Sequence, residues 1–195
     1  VTNSFTNLDG SIQSNISPNS TSKFSIVSYS GTGSNATVGH GLGSALGLII
    51  LKNLTTSRNW QILHHKNTTA PATQQLEFGT DATATVTTQW NSVMPTSSVF
   101  SIGTNDSTNK SSDKFIAYCF ADVQGFSKFG KYTGNGNADG PFTYTGFKPA
   151  MIIIKRTDVA KNWYINDNLR DGYNNDNPYL SPNLTATETG GTEIN

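Results

Sequence analysis

The chain has 195 residues, of which only 34% are hydrophobic and 13% charged, while aromatic residues reach 10%. Ser, Thr, Asn and Gly fill the difference, and this mixture favours β-structure with neutral polar faces over disorder. The 13 basic residues balance the 13 acidic ones and form no run that could neutralise several phosphates. We therefore expect neither nucleic acid nor a membrane among the partners.

The first 21 residues are polar, and Ile12 and Ile16 are their main apolar positions. We interpret residues 1–21 as a linker or as the tail of a preceding domain. An edge strand is compatible with the same composition.

Short strands are predicted from residue 22 onward, because apolar residues alternate with polar ones or form brief runs between Gly, Asn and Pro. The predicted strands are residues 24–29, 46–51, 60–64, 99–102 and 114–121, with a glycine-rich turn at 31–43 and a short helix as an option at 70–75. Strands at a spacing of roughly ten residues predict an all-β sandwich of the jelly-roll type.

One segment of the chain occurs twice. Leu48–Lys52 recurs as Met151–Lys155, and Asn59-Trp60 recurs as Asn162-Trp163, so 151 − 48 and 162 − 59 give the same shift of 103 residues. A glycine-rich motif that begins at Tyr29 returns at Tyr132 with that shift. A repeat of this length is too long for a solenoid and predicts two tandem domains.

The shift assigns residues 22–125 to a first β-sandwich and residues 126–195 to a truncated second one. The second copy has no counterpart of the predicted strands at 99–102 and 114–121, and a sheet without them keeps open edges. We expect either that the protein continues beyond Asn195 or that another chain completes this copy.

The sequence contains no convincing catalytic or cofactor site, so we predict a protein that is not an enzyme and binds no cofactor. Gly31-Thr-Gly33 follows a strand as a dinucleotide-binding motif does, but the residues after it cannot begin a helix. His64 and His65 would point to opposite faces of a strand. Cys119 lies within an apolar run and is expected to be a small buried hydrophobe.

An oxygen-rich loop in the second copy offers weak calcium candidates, namely Asp167, Asp171 and Asp176. Their spacing does not fit an EF-hand loop. Solvated turns favour the same residue types, and we predict no metal.

Aromatic residues are the remaining candidates for a binding site. Trp60 and Trp163 occupy equivalent positions in the two copies, which favours packing in the core or at a strand edge. The predicted ligand-binding residues are instead the aromatic side chains expected at the surface: Trp90, Tyr164, Tyr173 and Tyr179.

Several motifs together resemble a repeated domain of unknown function in tail fibres and other virion proteins of marine and cyanobacterial bacteriophages. They are Phe24–Tyr29, Val38–Gly43, Pro95–Phe100, Tyr118–Ala121, Gly125–Gly130, Tyr132–Pro141 and Gly146–Pro149. The resemblance covers about residues 9–185 and carries no catalytic residues.

This resemblance implies a virion protein, made in the cytoplasm of a host bacterium and assembled in a tail or head fibre. Fibre proteins imply a homotrimer that contacts other virion proteins and binds a glycan or another receptor on the host surface. Two alternatives remain open. One is a purely architectural role as a capsid decoration or fibre shaft, and the other is a polysaccharide depolymerase, which would need two carboxylates facing one cleft.

Overall fold

A computed structural model describes residues 4–79, 81–137, 139–169 and 178–185. The strands of these residues are β1 Phe5–Asn7, β2 Ser14–Asn19, β3 Phe24–Ser30, β4 Ala36–Gly39, β5 Leu48–Asn53, β6 Gln61–His64, β7 Gln74–Glu77, β8 Ala84–Thr85, β9 Val99–Ile102, β10 Lys114–Phe120, β11 Met151–Lys155 and β12 Trp163–Asp167. A single helical turn, α1, spans Asp106–Asn109, and a 3₁₀ turn spans Pro71–Thr73.

The chain divides into two compact units. Unit 1 comprises residues 1–77 and 83–129, and unit 2 comprises residues 78–82 and 130–195. The division after Phe129 falls close to the boundary that the repeat predicts at residue 125.

Unit 1 is built from two antiparallel layers. Its large sheet has the strand order β1-β2-β3-β10-β5-β6-β7-β8, and β4 pairs with β9 to form the second layer. The all-β sandwich prediction is therefore confirmed. Among the described residues, one layer contains eight strands and the other contains two. This arrangement differs from a jelly roll, which divides eight strands between two sheets.

The core of unit 1 lies between these layers because alternate side chains of each strand point to the same face. Val27 and Tyr29 of β3, Phe115 of β10 and Phe100 of β9 are all buried there. The ring of Tyr29 stacks on Phe115 at 5.1 Å, and its hydroxyl donates to the carbonyl of Thr108 at 2.6 Å. Burial raises the pKa of the Tyr29 hydroxyl well above its ordinary value.

Cys119 of β10 belongs to the same core and is completely buried. Burial raises the pKa of its thiol far above the ordinary value, so the side chain stays protonated. The prediction of a small buried hydrophobe is confirmed.

The amino-terminal segment belongs to the large sheet. β2 pairs with β3 along its whole length, and β1 pairs with β2. Ile12 and Ile16 are buried in the core. Residues 4–21 therefore match the edge-strand alternative and not the linker or the tail of a preceding domain. β4 likewise lies inside the stretch at 31–43 that was predicted to be a turn.

Unit 2 contains a hairpin of β11 and β12 whose register repeats that of β5 and β6. Leu48 lies opposite His64 in unit 1, and their counterparts Met151 and Asp167 lie opposite each other in unit 2. A lysine contact also recurs in both hairpins. Lys155 donates to the carbonyl of Lys161 at 2.5 Å in unit 2, and the equivalent Lys52 donates to the carbonyl of Arg58 in unit 1. The described residues of unit 2 add one isolated bridge, between Ile165 and Leu180.

Candidate ligand-binding face

The large sheet of unit 1 has a second apolar face, on the side opposite the core. Phe24 of β3, Tyr118 and Phe120 of β10, and Trp60 just before β6 are each partly exposed there. We call these four residues the aromatic face. They lie on this side because they alternate with residues that point into the core.

The rings of the aromatic face form a continuous row across the strands. Phe24 and Tyr118 are almost parallel, with centroids 6.4 Å apart and an angle of 3°. Tyr118 and Trp60 follow at 6.2 Å and 27°. Phe120 packs against Phe24 at 4.8 Å. The row exists because the sheet places β10 beside β3 and near the start of β6.

Polar groups border this row. Ser17 and Asn15 of β2 lie opposite Ile26 and Ser28 of β3 on the same side of the sheet. The ammonium of Lys52 lies 5.8 Å from the centre of the Trp60 ring, within the range of a cation–π contact. Aromatic rings beside hydroxyl and amide groups can hold a ligand that has both apolar and polar surfaces.

The structure contradicts the surface position predicted for one candidate ligand-binding residue, Trp90. Its side chain is 0% exposed and lies in the core of unit 1. The hydrogen bonds of the preceding residue, Gln89, explain this burial. The side-chain amide of Gln89 donates to the Gln61 side chain at 2.7 Å, and the backbone carbonyl of Gln89 accepts from Gly103 N at 3.1 Å. These contacts hold the loop against the core, so the prediction that Trp90 lies at the surface is wrong.

Tyr164 and Tyr179 come together in unit 2. Their rings form an edge-to-face pair at 4.9 Å, and both side chains are partly exposed. Tyr173, the third tyrosine of that prediction, lies outside the described residues.

Among the calcium candidates, only Asp167 falls within the described residues; Asp171 and Asp176 lie outside them. The Asp167 carboxylate accepts a hydrogen bond from Leu169 N at 3.1 Å, a local turn contact. No group of three His, Cys, Asp or Glu side chains in the described part of the chain could hold a metal ion.

The two equivalent tryptophans have different surroundings. Trp163 is only 7% exposed and packs edge-to-face on Phe78 at 4.8 Å, which confirms its prediction as a packed residue. Trp60 belongs to the partly exposed aromatic face. Sequence reasoning missed Phe24 and Tyr118, although the apolar residues at successive positions of β10 indicated a strand with two apolar faces.

A comparison with protein families matches residues 2–195 to one family, described as a domain of unknown function. The chain belongs to the DUF7483 family. No curated protein and no solved structure matches the chain. The DUF7483 match spans both units, and it confirms the expectation of a family of unknown function without bearing on bacteriophages. No helix in the described part of this DUF7483 chain is long and apolar enough to cross a membrane.

His64 lies on the same side of the sheet as the aromatic face of this DUF7483 chain, two strands from Phe120. Burial, followed by the neighbouring His65, lowers the pKa of His64 from 6.5 to about 4, while Asp122 opposes this change. Burial also lowers the pKa of His40, whose ring accepts from Leu42 N and contacts the carbonyl of Thr96. Both rings are therefore neutral in the folded chain at pH 7.

The stability of unit 1 is expected to fall as the pH is lowered from about 6.5 to about 4. In this window the unfolded chain binds a proton on His64 that the folded chain does not bind. His40 contributes in the same direction, because burial lowers its pKa as well. His64 changes the free energy of unfolding by at most about 3 kcal/mol over this window. Partial exposure of the ring to solvent reduces the change below this limit. Urea unfolding midpoints at pH 7 and pH 4.5 measure the effect.

A His64→Asn variant keeps an acceptor for the backbone N–H of Lys66 that now bonds to the ring. We expect this variant to lose much of the pH dependence and to keep the part due to His40. An unchanged slope between the two pH values would refute the assignment to His64.

Proposed function

We propose that the chain is a non-enzymatic adhesion module that binds neutral glycans at the aromatic face of unit 1. The observation that carries this proposal is the row of rings formed by Phe24, Tyr118 and Trp60. Sugar rings have apolar C–H faces that stack on aromatic side chains, and partly exposed rings can bind them without a large rearrangement.

The border of the row supports a neutral ligand. Hydroxyl and amide groups of Asn15, Ser17 and Ser28 lie on this side of the sheet and match the donor and acceptor pattern of sugar hydroxyls. The chain has no net charge, so long-range attraction to a charged partner is small.

The resemblance to phage fibre domains supports a setting for this module. In that setting the chain is a homotrimer within a virion fibre, contacts other virion proteins and attaches to glycans of the host surface. A single millimolar site is worth about −4 kcal/mol. Several linked sites raise avidity by roughly 10²–10⁴, so a weak aromatic platform suffices for attachment.

A Tyr118→Ala substitution is expected to weaken glycan binding at least tenfold. Tyr118 stacks on both neighbours of the row, so its loss separates Phe24 from Trp60. An aromatic contact of this kind is worth about 1 kcal/mol beyond the area that it buries. A glycan array followed by titration of the best ligand measures the change.

Two variants serve as controls for this experiment. Tyr118→Phe keeps the ring and should bind almost as the native chain does. Phe126→Ala removes a ring of unit 1 that is 63% exposed and outside the strands of the sheet, and it should leave affinity unchanged. Equal binding by Tyr118→Ala and the native chain, with both shown to be folded, would remove the aromatic face as the site.

A purely architectural role is the second candidate, and one observation favours it. Met151, Ile152 and Ile153 of β11 are between 42% and 59% exposed, as expected for a surface that becomes covered in an assembly. Failure of the folded native chain to bind any glycan or cell would favour this role over adhesion.

A further inference from the structure

The hairpin of unit 2 has an apolar edge that its counterpart in unit 1 keeps covered. In unit 1, β5 pairs with β6 on one side and with β10 on the other, from Leu48 opposite Phe120 to Asn53 opposite Phe115. In unit 2, β11 corresponds to β5 and pairs with β12 in the same register. The described residues place no strand on the other side of β11.

Equivalent side chains therefore differ greatly in exposure. Ile49 of β5 is 0% exposed, because β10 and the core cover it. Its counterpart in β11, Ile152, is 46% exposed. Met151 and Ile153 are 59% and 42% exposed. Bare apolar strands of this kind readily pair with a further strand.

The backbone of β11 is oriented to accept such a strand. The N–H of Asn168 donates to the carbonyl of Ala150 at 3.0 Å, so Ala150 faces the β12 side of the hairpin. Because hydrogen bonding alternates along an antiparallel strand, Ile152 also faces β12, and the N–H groups of Met151 and Ile153 point to the opposite side. We call the side of β11 formed by Met151–Ile154 the acceptor edge.

We propose that the acceptor edge binds, in antiparallel orientation, a strand with the sequence pattern of β10 that is supplied by another polypeptide. β10 itself cannot serve, since it pairs with β3 and β5 on its two sides. This interaction is distinct from glycan binding, because it uses a different unit and different residues.

The register of unit 1 specifies the donor. Small residues of β10, Cys119 and Ala117, lie opposite Ile49 and Leu51. Large aromatic residues, Phe120 and Tyr118, lie opposite Leu48 and Ile50. The donor strand should therefore carry small residues opposite Ile152 and Ile154, and aromatic residues opposite Met151 and Ile153.

The experiment uses the full chain and a synthetic peptide with the sequence of residues 112–122. The peptide is expected to bind, as measured by calorimetry and by NMR shifts of the amides of Met151 and Ile153. Two N-methylated peptides test the geometry. In unit 1, Leu54 N donates to the carbonyl of Lys114 at 2.8 Å, so Lys114 of β10 faces β5. Every second residue of a strand faces the same neighbour, so the N–H of Tyr118 also faces β5, whereas the N–H of Ala117 faces β3.

N-methylation at Tyr118 should weaken binding at least tenfold, whereas N-methylation at Ala117 should change it less than about threefold. On the protein, Ile152→Asp should abolish binding. Val159→Asp places the same charge at an exposed position outside the strand and should have no effect. Absence of peptide binding to the folded chain, or equal weakening by both methyl groups, would overturn the proposal.

A third outcome concerns the source of the strand. Sedimentation of the native chain over a range of concentrations detects self-association. Three results together would show that the acceptor edge pairs with the same edge of a second copy: the native chain dimerises, Ile152→Asp prevents dimerisation, and the peptide does not compete with it. The donor-strand proposal is then wrong.

Discussion

Replacement of Trp90 by alanine is expected to lower the free energy of unfolding of unit 1 by about 3–5 kcal/mol. The indole is 0% exposed and is the largest fully buried side chain among the described residues. Its removal leaves a cavity between the two layers that the surrounding strands cannot fill without losing their register. Small domains are stable by only about 5–15 kcal/mol, so the variant loses a large part of its stability.

Chemical unfolding followed by fluorescence measures this loss, with two comparison variants. Trp90→Phe should cost less, because the indole N–H makes no hydrogen bond to any described residue and a phenyl ring refills part of the space. Phe126→Ala removes an exposed ring of unit 1 and should stay within about 0.5 kcal/mol of the native chain. A Trp90→Ala variant as stable as the native chain would contradict the buried position of this loop.

Gly103→Ala is expected to destabilise unit 1 by about 3 kcal/mol. A Cβ atom at this position would lie 2.0 Å from the carbonyl oxygen of Thr88, and a backbone atom cannot move aside as a flexible side chain can. The same backbone segment holds Trp90 in the core, since Gly103 N donates to the carbonyl of Gln89 at 3.1 Å. The clash therefore acts on the loop that completes the core.

The matched control for this substitution is Gly130→Ala, where a Cβ atom meets nothing within 4 Å. That variant should unfold at the same urea concentration as the native chain. Thermal and urea unfolding of both variants test the prediction. Similar midpoints for Gly103→Ala and Gly130→Ala would show that the close approach at Thr88 is not present.

Local patterns identified much of the strand content. β3, β5, β9 and β10 all begin within about two residues of their predicted positions, because alternation and short apolar runs are properties of neighbouring residues. The internal repeat also predicted that the segments of β5 and β6 recur in a second copy, and the structure has β11 and β12 there, paired in the register of β5 and β6.

The outer strands β1 and β2 were predicted only as one alternative for residues 1–21, and this has a physical reason. β2 contains Pro18 and mostly Ser and Asn, residues that are uncommon in strands. It forms because the edge of β3 offers unpaired backbone groups and because Ile16 reaches the core. Both causes depend on contacts with other segments of the chain, so no local pattern favours a strand here over a linker.

The candidate site was likewise predictable only in part from the sequence. The sequence by itself determined where β3, β5, β9 and β10 lie, that one unit recurs after 103 residues, and that β10 is apolar at successive positions. Only the tertiary structure decided that Trp90 is buried and that Phe24, Trp60 and Tyr118 form one row. The reason is that β4 and β9 cover one face of the large sheet, and the choice of the covered face depends on contacts between residues far apart along the chain.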